Sequence, residues 1–203
     1  MKNNFSSFAP NQKQTLRQTL LARRNQLPLS AREELANILC QKIAALPCFR
    51  AASMVLLYYP VGSELSFLPL AAIAEANGIP VGFPVCGPER TLVFRRATSD
   101  MQPEPGAFGI PVPPKTAPLL LPDEKTVCLL PALGYDQNRF RIGYGGGYYD
   151  RFLASFPGIS VGACPEEFLL ESVFPEPHDK AADLLITEKR IFSGKNSPKI
   201  PDF

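Results

Sequence analysis

The segment RIGYGGGYYDR, Arg141 to Arg151, concentrates residue types that can do chemistry. Gly143, Gly145, Gly146 and Gly147 let backbone N–H groups approach and surround an anion. Arg141 and Arg151 add charge, with donors suited to phosphate oxygens. Asp150 stands a few residues beyond, where a carboxylate can hold Mg²⁺ against bound phosphates. Tyr144, Tyr148 and Tyr149 offer flat faces to a ring system. The pattern is neither G-x-x-x-x-G-K-[ST] nor G-x-G-x-x-G. Glycine richness alone fits a flexible turn as well as a phosphate cradle, and the tyrosines fit core packing as well as a ligand wall.

The surrounding elements must present this segment. Leucines and isoleucines recur at helical spacings from residue 12 to 46. Pro28 and Ser30 divide that run into two helices, and Ser30 with Glu33 predicts a capping box for the second. MVLLYYP (54–60) is a continuous apolar run, as in a strand buried on both faces. Residues 65–79 read as a helix closed by Asn77-Gly78, followed by strands at 80–85 and 91–97. Seven prolines between 98 and 125 exclude a persistent helix and leave a long loop. Further strands are predicted at 126–133, 159–164 and 183–188, with a helix at 146–156 and a loose tail from Ser193. Apolar strands alternating with helices predict a three-layer α/β/α sandwich, Rossmann-like, with a mostly parallel central sheet in one domain. Such sheets bind ligands beyond the carboxyl ends of their strands, where Glu64, the 136–150 region and Thr187-Glu188 fall.

Bulk properties exclude several function classes. In 203 residues, 45% are hydrophobic and 20% charged, enough for a core without staples. A net charge of +2 implies no broad basic face for nucleic acid. The five cysteines have neither disulfide-framework nor zinc-ligand spacing and read as buried free thiols. No run of about 18 apolar residues predicts a membrane span, and the first residues, MKNNFSSFAPNQKQ, contain no apolar run resembling a signal sequence. A cytoplasmic monomer acting on small molecules is expected.

LLPALGYDQNRFRIGYGGGYYDRFL (129–153) resembles the signature of the 5-formyltetrahydrofolate cyclo-ligase family, in which a strand ending in proline precedes R-L-G-x-G-x-G-Y-Y-D. The rest of the chain agrees in order. KQTLRQTLLARRNQL (13–27) is similar to the family's K-x-x-L-R opening helix, YYPVGSELSF (58–67) to its strand followed by a glutamate, and EPHDKAADLLITE (176–188) to its closing E-x-H-D…D-x-I-I-T-E. PERTLVFRRA and FGIPVPP fall between them. The resemblance covers about residues 13 to 190.

The resemblance implies ATP-dependent conversion of 5-formyltetrahydrofolate to 5,10-methenyltetrahydrofolate, with ADP and phosphate released and Mg²⁺ as cofactor. Phosphorylation would turn the formyl oxygen into a leaving group, and N10 would then close the ring. By the same resemblance, Lys13 and Arg17 bind ATP from the first helix. Arg141 and the loop Gly143, Tyr144, Gly145, Gly146, Gly147, Tyr148 and Tyr149 cradle it. Tyr144 to Tyr148 also border the folate, together with Tyr59 and Glu64. Arg141 and Tyr148 are the implied catalytic residues, and Asp150 and Asp183 the implied metal ligands. The residues alone allow Glu64 to be a helix N-terminal acid instead. Arg23, Arg24 and Arg32 are assigned to solvent, and His178 and Asp136 to structural roles. Arg151 has two readings, phosphate contact or pairing with an acid on its own helix.

Two departures stand out. Val112 occupies the place of an acid in the family's G-I-x-E-P, and Glu167 or Phe168 falls near its usual glutamine. Alternative readings are a sugar-phosphate isomerase or CoA transferase on a related sandwich, and a non-catalytic nucleotide or folate binder. Neither isomerase nor transferase needs Lys13, Arg17, Asp150 and Asp183 together.

Overall fold

The computed structural model describes residues 9–98 and 101–194. The N-terminal run forms α1 (Ala9–Gln26) and α2 (Leu29–Ala45), and α3 (Pro47–Arg50) is one turn that sends Phe49 into the core. Pro28 has no N–H and so ends the first helix; it then takes the cap position of α2. That places Ser30 inside the helix, and the expected Ser30–Glu33 capping box does not form: no side chain caps α2.

The chain continues through β1 (Val55–Leu56), α4 (Pro69–Ala76), β2 (Val81–Cys86) and β3 (Leu92–Ala97). The proline-rich stretch carries β4 (Glu104–Pro105), β5 (Pro111–Val112) and β6 (Leu119–Leu120). Then follow β7 (Val127–Leu130), β8 (Gly134–Asp136), β9 (Arg141–Ile142), α5 (Tyr148–Leu153) and β10 (Ile159–Ala163). The last elements are β11 (Leu169–Leu170), β12 (Leu184–Ile186) and β13 (Ile191–Ser193). The expected loose tail lies outside the described residues beyond 194.

An eight-stranded sheet has the order β13-β12-β10-β7-β1-β2-β3-β6. β12, β10, β7, β1 and β2 run parallel, and the flanking strands pair antiparallel. Side chains alternate between two cores, as period-2 strands require. Val55, Leu57, Val127, Leu129, Leu184 and Ile186 face α2 and α4 with Leu39, Ile43 and Leu70. Leu56, Cys128, Leu130 and Leu185 face Leu20 of α1 and Phe152 of α5. Burying each such leucine contributes about 2 kcal/mol, so tertiary packing rather than helix propensity holds the outer layers. The three-layer sandwich expected from the sequence is the architecture found, with a mostly parallel sheet. No helix among the described residues is long and apolar enough to cross a membrane. All five cysteines are free thiols, and burial pushes Cys40 up to about 12.

The chain leaves β1 toward β2 and later returns on the other side of β1 at β7. Strand order therefore reverses between β1 and β7, and a crevice opens beyond their carboxyl ends. A small sheet, β11-β8-β9, stands beyond β7 and carries the glycine segment out of β9. Asp136 braces it. Its buried carboxylate accepts from the N–H groups of Asn138 (2.9 Å) and Phe140 (3.1 Å), the structural role expected for it.

Candidate active site

A cavity of about 630 Å³ occupies that crevice, within the size range of small-molecule sites. Its walls come from α1 (Lys13, Arg17), from the loop after β1 (Tyr58, Tyr59, Glu64) and from β2 and β3 with their turn (Pro84, Arg90, Leu92). The β4–β5 hairpin adds Phe108, Ile110 and Val112; Arg141 to Asp150 and the group Glu176, His178, Asp179 complete it. Apart from Asp183, every residue implied for ATP, folate or metal lines this one space.

The geometry of the glycine loop suits an anion. Gly145 and Gly147 have φ of +93° and +70°, a region costly for residues with a Cβ. Among the described residues, the N–H groups of Tyr144 to Gly147 donate to no protein acceptor. Arg17 Nε donates to the Gly143 carbonyl at 2.9 Å, so α1 clamps the start of the loop. Arg141 is almost wholly buried. It donates to Asp150 Oδ1 at 2.8 Å and to the Lys180 carbonyl at 3.2 Å, above the Tyr149 ring. Tyr149 carries a buried hydroxyl with no hydrogen-bond partner among the described residues.

Lys13 is buried between Asp179 (2.7 Å) and Glu176 (2.9 Å). Burial alone would lower its pKa, but the hydrogen bonds that it donates to Asp179 and Glu176 outweigh that and raise it. Asp179 moves the opposite way: burial would raise it, and the hydrogen bond from Lys13 with its neighbours brings it below the usual carboxylate range. Lys13 is thus held charged at the cavity wall. Its acidic partners lie 163 and 166 residues away, a pairing that no local pattern reveals. His178 is largely exposed beside the same two carboxylates.

Glu64 faces the other end of the cavity. Its Oε2 accepts from the Val61 N–H at 2.8 Å, and the Tyr144 side chain stands near it on the same wall. Burial raises its pKa, opposed by the Val61 N–H, by the Tyr144 hydroxyl and by the charge of Arg24. Arg24 corrects an expectation: assigned to solvent, it is only 5% exposed. It donates to the Tyr144 hydroxyl, to Ser63 Oγ (3.1 Å) and to the Ala132 carbonyl (3.2 Å). Lys13, Arg17, Leu20 and Arg24 recur at spacings of four, three and four, one face of α1. That spacing was the signal for Arg24. Arg23 is exposed as expected and pairs with Glu167 at 3.1 Å. Arg32 is not free in solvent: its Nε is buried and without a partner among the described residues.

Other expectations meet the structure unevenly. Tyr59 lines the cavity and stacks on Phe83, with ring centroids 4.1 Å apart. Tyr148 meets the ring of Phe108 edge-on. Asp150 lines the cavity, and Oδ1 alone carries its hydrogen bonds; Oδ2 takes none among the described residues. Asp183 is not brought beside it. It precedes β12 at the amino edge of the sheet, where Oδ2 accepts from the Ser160 N–H (2.8 Å) and hydroxyl (2.6 Å). Arg151 follows neither reading, donating instead to the Glu89 carbonyl at 2.6 Å. Val112 puts an apolar face where the resemblance has an acid, and Phe168 is buried outside the main cavity.

A family model described as the 5-formyltetrahydrofolate cyclo-ligase family matches residues 9–188. The 5-formyltetrahydrofolate cyclo-ligase of Mycolicibacterium smegmatis is 31% identical over 197 residues, covering 90% of this chain and 97% of that one. The enzyme of the same name from Mycoplasma pneumoniae is 24% identical over 188 residues, covering 87% of this chain and 99% of that one. Among solved structures, Aquifex aeolicus 5,10-methenyltetrahydrofolate synthetase superposes with a TM-score of 0.79 at 26% identity, covering 94% of this chain and 96% of that one.

Proposed function

The chain belongs to the 5-formyltetrahydrofolate cyclo-ligase family, and from that premise we propose that its cavity joins ATP to 5-formyltetrahydrofolate. The observation that carries this reading is a shared wall. The glycine loop faces Lys13, Arg17 and Arg141 on one side, while its Tyr144 reaches Glu64 on the other. One segment therefore serves an anion cradle and a carboxylate suited to a pterin.

The formyl oxygen attacks the γ-phosphorus as the bond to the ADP oxygen breaks. N10 then adds to the activated formyl carbon, phosphate departs with the former formyl oxygen, and N10 loses its proton. The products are 5,10-methenyltetrahydrofolate, ADP and phosphate. The chain's task is to hold the two reactants in line and neutralise developing charge. Lys13, Arg17 and the loop amides take the triphosphate. Arg141 stabilises charge on the transferring group, and Tyr148 closes the wall between the substrates. Glu64 accepts hydrogen bonds from the pterin amino and ring N–H groups.

The donor set fits Mg²⁺, which favours hard oxygen ligands and takes one or two carboxylates with substrate phosphates. Asp150, with an Oδ2 open to further bonding, would hold it, and Glu176 and Asp179 stand on the same cavity wall. When bound, the ion neutralises charge on the transferring phosphates. We assign Asp183 to anchoring the start of β10 rather than to the metal. Every group invoked comes from one chain, so a monomer suffices.

The test follows the methenyl chromophore with purified protein and 5-formyltetrahydrofolate, with and without ATP and Mg²⁺. The chromophore is expected only when both are present. Asp150→Asn is expected to raise the Mg²⁺ concentration needed for half-maximal rate by about tenfold or more, while Asp183→Asn leaves it unchanged. No ATP-dependent signal from folded protein would overturn the reading.

A further inference from the structure

Two hairpins overhang the cavity with the same loop geometry. In the β2–β3 turn the Gly87 N–H bonds the Thr91 carbonyl across Pro88, Glu89 and Arg90; in the β4–β5 turn the Gly106 N–H bonds the Ile110 carbonyl across Ala107, Phe108 and Gly109. Each loop ends in two left-handed residues: Glu89 and Arg90 at φ +54° and +62°, and Phe108 and Gly109 at +59° and +72°. The second position suits glycine, which β4–β5 supplies. β2–β3 carries an arginine there instead. Arg151 ties this turn to α5 through the Glu89 carbonyl. Arg90 lines the cavity, and among the described residues its guanidinium has no acidic or hydrogen-bonding partner. A strained, unpaired arginine at a cavity wall points to a ligand anion.

The place of Arg90 distinguishes which anion. Arg17 meets the glycine loop at Gly143 and Gly145, on the α1 side. Arg90 approaches its far end, with Nη1 3.9 Å from where a Gly147 Cβ would lie. Tyr59, Pro84 and Leu92 line the wall contributed by β1, β2 and β3, whose loops carry Glu64 and Arg90, and Phe108 overhangs it. The cavity thus offers a carboxylate, an apolar wall and a cation. A reduced folate offers N–H donors on its pterin, an apolar aminobenzoyl ring and tail carboxylates.

Resting on the folate reading above, we propose that Arg90 binds a carboxylate of the folate's glutamate tail and makes the site selective for a charged tail. The test measures KM and kcat for 5-formyltetrahydrofolate and for its analogue with both tail carboxylates converted to amides, in wild type, Arg90→Gly and Arg90→Lys. Wild type is expected to show a KM about tenfold higher for the diamide. Arg90→Gly is expected to raise KM for the acid about tenfold and to treat the two substrates alike. Its kcat and KM for ATP should stay within about twofold, and its thermal midpoint should be no lower, because glycine accepts the left-handed turn. Arg90→Lys is expected to recover part of the discrimination. Unchanged folate KM in both variants, or a rise in KM for ATP in place of folate, would overturn the assignment. Wild type that fails to turn over the acid would instead refute the folate reading itself.

Discussion

Arg141→Met is expected to lower kcat by about a thousandfold, comparable to removing a charge that acts on a transferring phosphoryl group. Arg141 is held by Asp150 and the Lys180 carbonyl, so it is poised before any ligand arrives. The same change leaves Asp150, a half-buried carboxylate, without its ion-pair partner, and a stability loss of about 2 kcal/mol should accompany the kinetic defect. Arg141→Lys should recover little activity, because one ammonium cannot hold a carboxylate, a carbonyl and a phosphate in a fixed fork. The checks are steady-state kinetics with saturating ATP and a denaturant titration on the same preparations. A kcat within tenfold of wild type would remove Arg141 from the reacting centre.

Glu64→Gln is expected to raise KM for the folate about a hundredfold, the cost of replacing a charged acceptor of two hydrogen bonds by an amide. The effect should depend on pH. Burial raises the Glu64 pKa, so its acid form persists above the ordinary carboxylate range. Folate binding needs the carboxylate, and KM should therefore fall as pH rises through that raised pKa and then level. Stability runs the other way. A raised folded pKa contributes stability that is full below the unfolded value and is lost as pH rises through the folded one. Glu64→Gln should flatten both profiles. Background-corrected rates and unfolding midpoints across the acid range check this, and a KM profile unchanged by the substitution would exclude Glu64 as the pterin acceptor.

Much of the frame was legible because it follows from period and punctuation. Val127 to Leu130 is buried at every position, as a strand covered on both faces must be. The break at Pro28 follows from a missing N–H. Short elements were not legible. β8, β9, β11 and β13 span two or three residues each, too few to show alternation. The helix expected at 65–79 begins only at Pro69; Leu65 and Phe67 are buried from a loop instead. The stretch read as one long loop contains the β4–β5 ribbon, where prolines fit because an isolated two-stranded ribbon leaves their missing donors unneeded.

The site divides along the same line. Glycines, arginine and aspartate in RIGYGGGYYDR pointed to the anion loop proposed above, and the order of motifs along the chain disclosed the family. Contacts made across the fold stayed hidden. Lys13 meets Asp179, Arg24 meets Tyr144, and Arg151 meets the turn at Glu89, each joining segments far apart in sequence. Asp183 shows the reverse case. Its motif placed it with the metal, while topology puts it at the amino edge of the sheet beside Ser160.

The central claim is that one cavity lets the formyl oxygen take the γ-phosphoryl group before N10 closes the ring. The direct measurement supplies 5-formyltetrahydrofolate carrying ¹⁸O in its formyl group, with unlabelled ATP in unlabelled water, and determines the isotope in released phosphate. The account predicts one ¹⁸O atom per phosphate at stoichiometric yield. Phosphate free of label, formed alongside methenyltetrahydrofolate, would contradict it.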